Sequence, residues 1–210
     1  MRLSSSNFSD GARMPEAHAF GVPDAAQHMR FGANRNPALE WDAPPAATRS
    51  FVLVCHDPDV PSRFDQINRD DVVIPESMPR VDFFHWALVD LPADCRGIAE
   101  GEFSDGIAVG GRPGPATKLG ARHGLNDFTM GFAQTPEMAG DYFGYDGPCP
   151  PWNDERVHRY VFTLYALDLE RCPVEGKFTG AEVLQAIEGH VLARATLTAR
   201  YTLNPSCSAD

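Results

Sequence analysis

The chain has 210 residues, of which 43% are hydrophobic and 22% charged, and its formal net charge at pH 7 is −11. This length and apolar content suffice for a substantial core and exclude an intrinsically disordered protein. The acidic balance excludes a general nucleic-acid coat and a surface held to anionic lipid by charge, although a few groups can still form a local phosphate site.

Three apolar runs predict central β-strands. The first covers 50–55 and ends at the turn-forming D-P-D-V-P of 57–61, the second covers 83–89, and the third covers 160–167. All three are apolar at both alternating positions, which is typical of strands covered on both sides. The 18 glycines and 18 prolines are evenly spread, which favours a β-rich fold over a helical bundle.

One helical segment is predicted towards the end of the chain. The residues T-G-A-E at 179–182 have the pattern of a capping box. The apolar residues that follow at helical spacing are Val183, Leu184, Ile187, Val191 and Leu192. Gly189 predicts a break that would split this segment into two helices. No internal repeat or Ser/Gly-rich linker divides the sequence, so we expect a single domain over residues 1–210.

Side-chain parity brings three titratable groups into line with apolar stripes, because residues two apart share one face of a strand. The stripes join Asp57 to Phe51, Leu53 and Cys55, His85 to Phe83, Ala87 and Val89, and His158 to Tyr160, Phe162 and Leu164. If the strands are neighbours, Asp57, His85 and His158 converge at the mouth of a pocket. Taken singly, a histidine in an apolar strand is more often a hydrogen-bonded core residue than a ligand group, and Asp57 could equally cap the turn at Pro58.

The order of several short motifs is more specific than any one of them. D-P-D-x-P at 57–61 is followed by H-W at 85–86, G-P-C-P-P at 147–151 and H-R-Y at 158–160. This succession resembles the phosphatidylethanolamine-binding protein family, in its bacterial branch of Raf-kinase-inhibitor-like proteins, from about residue 8 to 201. The resemblance implies a mainly β fold: a large central antiparallel sheet, a smaller second sheet and a few peripheral helices.

The resemblance also implies a small pocket for phosphate-type anions, such as a phosphoethanolamine head group, with no catalysis and no cofactor. The residues that match its positions are Asp57, Pro61, His85, Pro151, His158 and Tyr160, with Tyr145 as a further wall residue. Two histidines can hold phosphate oxygens in a set geometry. Asp57 would orient a histidine, raise its pKa or receive the ammonium group of a zwitterionic ligand.

Two other classes of function stay open. Asp57, His85 and His158 form the two-histidine, one-carboxylate set of non-haem iron enzymes, although no compact ligand motif accompanies them. Members of the family are linked to inhibition of kinases or proteases, so a protein partner could occupy the pocket, and the resemblance leaves a homodimer open. The segments 62–84 and 152–157 look longer than is usual in the family and could close the pocket.

The sequence also indicates a cellular location. No run approaches the roughly 18 apolar residues of a membrane span, and the first residues lack the apolar core of a signal peptide. The five cysteines are scattered and form no C-x-x-C pair, a pattern that favours free thiols over disulfides or a zinc site. We therefore expect a cytoplasmic protein without integral membrane association.

Overall fold

The computed structural model describes residues 1–117 and 119–209, and most of its regular structure is β. The strands are β1 (Arg2–Ser4), β2 (Gly21–Asp24), β3 (His28–Phe31), β4 (Leu39–Asp42), β5 (Ser50–Pro61), β6 (Arg80–Pro92), β7 (Gly97–Ile98), β8 (Arg122–His123), β9 (His158–Leu167) and β10 (Val191–Tyr201). The α-helices among these residues are α1 (Phe128–Gly131) and α2 (Gly180–Ala186), and 3₁₀ helices cover Glu16–His18 and Phe64–Gln66.

A five-stranded antiparallel sheet forms the centre of the fold, with strand order β10-β9-β5-β6-β8. A smaller antiparallel sheet has the order β1-β4-β7, and β2 pairs with β3 in a two-stranded ribbon. The predicted fold class is confirmed. The three apolar runs lie in the three adjacent strands β9, β5 and β6, but the turn predicted at 57–61 is wrong, because β5 continues through it to Pro61.

The central sheet buries both of its faces, as the doubly apolar strands predict. On one face Leu53, Trp86 and Phe162 belong to one cluster, whereas on the other Val54 packs with Val183 of α2. Fully burying such a side chain contributes roughly 1.5–3 kcal/mol. The two clusters hold β5, β6 and β9 firmly enough to position polar side chains along them.

The predicted stripe through His85 is wrong in the second half of β6. Cys55 pairs with Trp86, but the next residue of β5 pairs with Phe84, so His85 is an extra residue in a β-bulge. His85 therefore shares the face of Trp86, while Ala87, the next residue of the predicted stripe, packs on the opposite face. A period-two pattern cannot reveal an extra residue.

The predicted helix begins where expected but ends early. The Thr179 hydroxyl accepts from the Glu182 backbone N–H at 3.3 Å, and the Glu182 carboxylate accepts from the Thr179 backbone N–H at 2.8 Å. The backbone takes a φ of 83° at Gly189, and β10 begins at Val191. The second helix through Val191 and Leu192 is therefore wrong, because pairing with β9 overrides the local spacing.

Replacing Thr179 by alanine should lower the free energy of unfolding by about 1 kcal/mol, because the backbone N–H of Glu182 loses its acceptor. Thr179→Ser keeps the oxygen and should remain close to the original protein. Urea unfolding of the three proteins measures the difference. Equal stability of Thr179→Ala and the original protein would contradict the role of this cap.

The described residues include no helix that is both long and apolar enough to cross a bilayer. All five cysteines are free thiols, and Cys55 and Cys172 are buried.

Candidate functional site

Strands β5, β6 and β9 bring Asp57, His85 and His158 together. Nδ1 of His158 lies 2.6 Å from Oδ2 of Asp57, and the His85 ring lies 5.0 Å from the ring of Tyr160 on β9. Their residual exposures are 1% for Asp57, 3% for His85, 0% for His158 and 1% for Tyr160. The predicted convergence is therefore found, but the groups lie beneath the surface and not at an open mouth.

His158 is held as an imidazolium between two carboxylates. Nδ1 donates to Asp57, and Nε2 donates to Oδ2 of Asp154 at 3.1 Å. Burial alone would lower the pKa of His158, but the two carboxylates outweigh it and raise the pKa to about 9. Because both ring N–H groups are already engaged, His158 positions Asp57 and has no hydrogen left to offer a ligand.

Asp154 is a member of the site that sequence reasoning missed. Its carboxylate is fully buried, and Nη2 of Arg80 donates to its Oδ1 at 3.1 Å while Nη1 donates to its Oδ2. Burial by itself would raise the pKa of Asp154, but hydrogen bonds from His158 and Arg80 hold it below its usual range. Its only sequence signal was its place in the segment 152–157, four residues before His158.

The two segments that flank the site are tied to each other. The side-chain amide of Asn153 donates to the backbone carbonyls of Gln66 at 2.9 Å and Val72 at 3.0 Å. Because β6 already begins at residue 80, the part of the first segment that lies outside the strands is 62–79. It packs against 152–157 beside the buried charges.

His85 is neutral and has one unused nitrogen. Its Nδ1 lies 2.8 Å from the backbone oxygen of Asp146, and since a carbonyl only accepts, the hydrogen is on Nδ1. Burial lowers the pKa of His85 to about 4, against the opposing charge of Asp57. Nε2 therefore carries a lone pair, and within the described parts of the chain no hydrogen bond reaches it.

A buried cluster fixes the backbone that holds His85. The Asp146 carboxylate is fully buried and accepts from the amides of Asn34 at 2.7 Å and Asn126 at 2.8 Å, and from Arg112 at 3.1 Å. Burial raises the pKa of Asp146, while Arg112 and the amides oppose the shift. The backbone N–H of Asp146 also donates to the His85 carbonyl at 3.1 Å, so the ring has little freedom to turn.

Tyr160 contributes the second unused polar group. Its hydroxyl is buried and has no hydrogen-bond partner among the described residues, a state shared there only with Trp41 Nε1. Burial raises the pKa of Tyr160 well above its usual value, and the nearby charge of Asp57 adds to the effect. An unsatisfied buried hydroxyl costs about 1–3 kcal/mol. Its ring lies next to that of His85, so the two unused polar groups belong to neighbouring side chains.

Aromatic rings enclose His85. Phe83 lies 5.0 Å and Phe128 5.5 Å from its ring, and Phe128 stacks on Phe20 at 4.7 Å. Sequence reasoning missed Phe20 and Phe128, which come from segments distant from β6. Such an apolar surrounding strengthens any hydrogen bond made at Nε2.

The other predicted residues frame the site. The Tyr145 hydroxyl donates to the His18 carbonyl at 2.7 Å, inside the core. Pro61 ends β5, and the Pro151 carbonyl accepts from the Asp154 backbone N–H at 3.2 Å. Both prolines are buried. Contact of Tyr145, Pro61 and Pro151 with a ligand stays a prediction.

The three residues of the iron alternative do not fit a metal ion. No group of three or more His, Cys, Asp or Glu side chains could hold one in the part of the chain that the structure describes. Both nitrogens of His158 face carboxylates at hydrogen-bond distance, which leaves neither as a ligand. The arrangement can instead accept a hydrogen bond at Nε2 of His85 and donate one from the hydroxyl of Tyr160.

Comparisons with known proteins agree over nearly the whole chain. The family model described as phosphatidylethanolamine-binding protein matches residues 4–202. UPF0098 protein YbhB of Escherichia coli (strain K12) is 32% identical over 203 residues, which cover 96% of this chain and 100% of YbhB. A UPF0098 protein of Methanothermobacter thermautotrophicus is 31% identical over 201 residues, covering 96% of this chain and 98% of the relative.

Solved structures show the same fold. The crystal structure of E. coli YbcL, described as a new member of the mammalian PEBP family, matches with a TM-score of 0.67 and 27% identity, covering 96% of this chain and 97% of that one. A putative phosphatidylethanolamine-binding protein homolog from Chlamydia trachomatis matches with a TM-score of 0.63 and 28% identity, covering 95% of each chain.

Proposed function

Because the chain belongs to the phosphatidylethanolamine-binding protein family, we propose that it is a non-catalytic binding protein whose ligand is a small phosphate-type anion held at His85 and Tyr160. Family membership supports the binding class. One observation carries the finer proposal: Nε2 of the buried residue His85 and the buried hydroxyl of Tyr160, on rings 5.0 Å apart, both lack a hydrogen-bond partner among the described residues.

The charges around the site tolerate an anion. Asp57 and Asp154 are balanced by the imidazolium of His158 and the guanidinium of Arg80, so this cluster is formally neutral. An anion placed at His85 therefore meets no net negative charge from these groups. The ammonium end of phosphoethanolamine would pair with Asp57, whose carboxylate oxygens can each accept a further hydrogen bond.

The proposed cellular location is the cytoplasm, and the five free thiols support this proposal. A kinase, a protease or another protein that presents a phosphorylated side chain to the site, and assembly into a homodimer, stay predictions.

A titration of the histidine ring nitrogens by NMR with phosphoethanolamine tests the proposal. We expect saturable shifts at His85, and at least a tenfold loss of affinity in His85→Ala, because a hydrogen bond to a charged group contributes about 1.5–3 kcal/mol. His190→Ala is the matched control, since His190 is exposed and bonded to Asp168 at 3.0 Å. Unchanged affinity of His85→Ala would refute the site.

A further inference from the structure

The two unpartnered groups of the site differ in what they can offer. The Tyr160 hydroxyl can donate or accept, whereas neutral His85 presents only a lone pair at Nε2. A deprotonated phosphoryl oxygen is also only an acceptor. Two lone pairs facing each other repel, so a fully ionised oxyanion does not fit His85 as it stands.

We propose that the site selects phosphate groups that carry a P–OH, namely phosphomonoesters and inorganic phosphate, over phosphodiesters and sulfates. The P–OH donates to His85 Nε2 while the Tyr160 hydroxyl donates to a second oxygen. This inference rests on the proposed function and refines its ligand class.

His85 cannot easily become a donor by moving its hydrogen. Nδ1 must keep its hydrogen for the carbonyl of Asp146, whose carboxylate is held by Arg112 and two buried amides. The neutral ring is therefore fixed in one tautomer. A donor at Nε2 requires the doubly protonated, cationic ring.

The surroundings make that cation rare. The charge of Asp57 on β5 favours the cationic ring, whereas His158 on β9 and His56 on β5 oppose it. The neighbouring rings of Phe83 and Phe128 supply no counter-charge. Burial is the largest influence and lowers the pKa of His85 to about 4. On the order of one ring in a thousand is then cationic at pH 7.

A phosphomonoester supplies the hydrogen far more readily. Its second pKa is about 6, so about one molecule in ten carries a P–OH at pH 7. A diester or a sulfate has no such hydrogen and can bind only when His85 is cationic. The fraction of the monoester that carries a P–OH is roughly 100-fold larger than the fraction of His85 rings that are cationic. We therefore expect the monoester to bind between about 10-fold and 100-fold more tightly than a diester or a sulfate at pH 7.

Titration calorimetry of the full chain tests this with three probes. They are O-phosphoethanolamine, its sulfate analogue 2-aminoethyl sulfate, and the diester glycerophosphoethanolamine, which carries the phosphodiester of a lipid head group. We expect the monoester to bind at least tenfold tighter than the other two at pH 7. Its affinity should be level below about pH 6 and fall towards tenfold per pH unit above it, with about one proton taken up per ligand at pH 8.

The outcomes separate the two proposals. Equal binding of all three probes would overturn the selectivity and leave the anion site standing. Tighter binding of the diester would also overturn it and would point to a lipid head group. No binding of any probe at any pH would overturn the proposed function together with this inference.

A variant provides an independent readout. His85→Gln places an amide near Nε2, and an amide can donate as well as accept. The preference for the monoester should fall below about threefold, because the sulfate analogue no longer needs a cationic ring. Tyr160→Phe is the matched control, and we expect it to weaken all three probes while keeping their order. A full preference in folded His85→Gln would contradict the role given to Nε2.

Discussion

Replacing Asp154 by alanine is expected to lower the free energy of unfolding by about 3–5 kcal/mol, the usual cost of breaking a buried ion pair. The Asp154 side chain is 0% exposed and that of its partner Arg80 is 7% exposed. The change leaves the guanidinium of Arg80 and Nε2 of His158 without the carboxylate that accepts their hydrogen bonds. Chemical denaturation at pH 7 measures the loss.

The chain offers a matched control for this substitution in a second aspartate–histidine pair. Asp168 accepts from His190 at 3.0 Å, close to the 3.1 Å between Asp154 and His158. Its side chain is 46% exposed and that of His190 is 44% exposed, so Asp168→Ala should cost at most about 1 kcal/mol. Similar losses in the two variants would show that burial does not set the strength of the Asp154 cluster.

The strands and the meeting of Asp57 with His158 could be predicted from the sequence because their signals are local. Parity holds along β5 and β9, which pair without a register shift, so Asp57 and His158 meet as predicted. His85 reaches the same site because of a β-bulge and not because of strand parity. The bulge of β6 turns it onto the face of Tyr160, although its predicted stripe continues on the other face.

Of the charges that decide the role of His158, only Asp154 is close to it in the sequence. Arg80 lies 74 positions from Asp154, and neither residue belongs to a motif quoted for the family. Without them, His158 looks like a phosphate donor. The structure places both ring nitrogens of His158 at hydrogen-bond distance from carboxylates, which is why the proposed ligand contacts are His85 and Tyr160 and not His158.

The free energy of unfolding is expected to be greatest near pH 6.5 and to fall on both sides. On the alkaline side the cause is His158, whose pKa is raised to about 9 from the 6.5 of an ordinary histidine. The folded state then binds more protons than the unfolded state between these values. The stabilisation is complete below pH 6.5 and is lost at about 1.4 kcal/mol per pH unit as the pH rises towards 9.

On the acidic side the causes are His85 and His123, whose pKa values are lowered by burial to about 4. In the folded state these two histidines stay neutral until the pH approaches 4, whereas in the unfolded chain they take up protons below pH 6.5. Their contribution is therefore present above that pH and is lost as the pH falls towards 4. Together the two histidines lower the free energy of unfolding by up to about 3 kcal/mol for each pH unit of acidification.

Urea unfolding at intervals between pH 5 and 8 tests this profile, and the upper limit keeps most cysteine thiols protonated. From pH 6.5 to 8 we expect a loss of about 2 kcal/mol. His158→Gln should be less stable throughout but should lack this alkaline fall, whereas His190→Gln should keep it. A level profile above pH 6.5 in the original protein would mean that His158 is neutral. One ring nitrogen would then face a carboxylate without a hydrogen, the cluster of His158, Asp57, Asp154 and Arg80 would carry a formal charge of −1, and the neutrality that supports the proposed anion site would be lost.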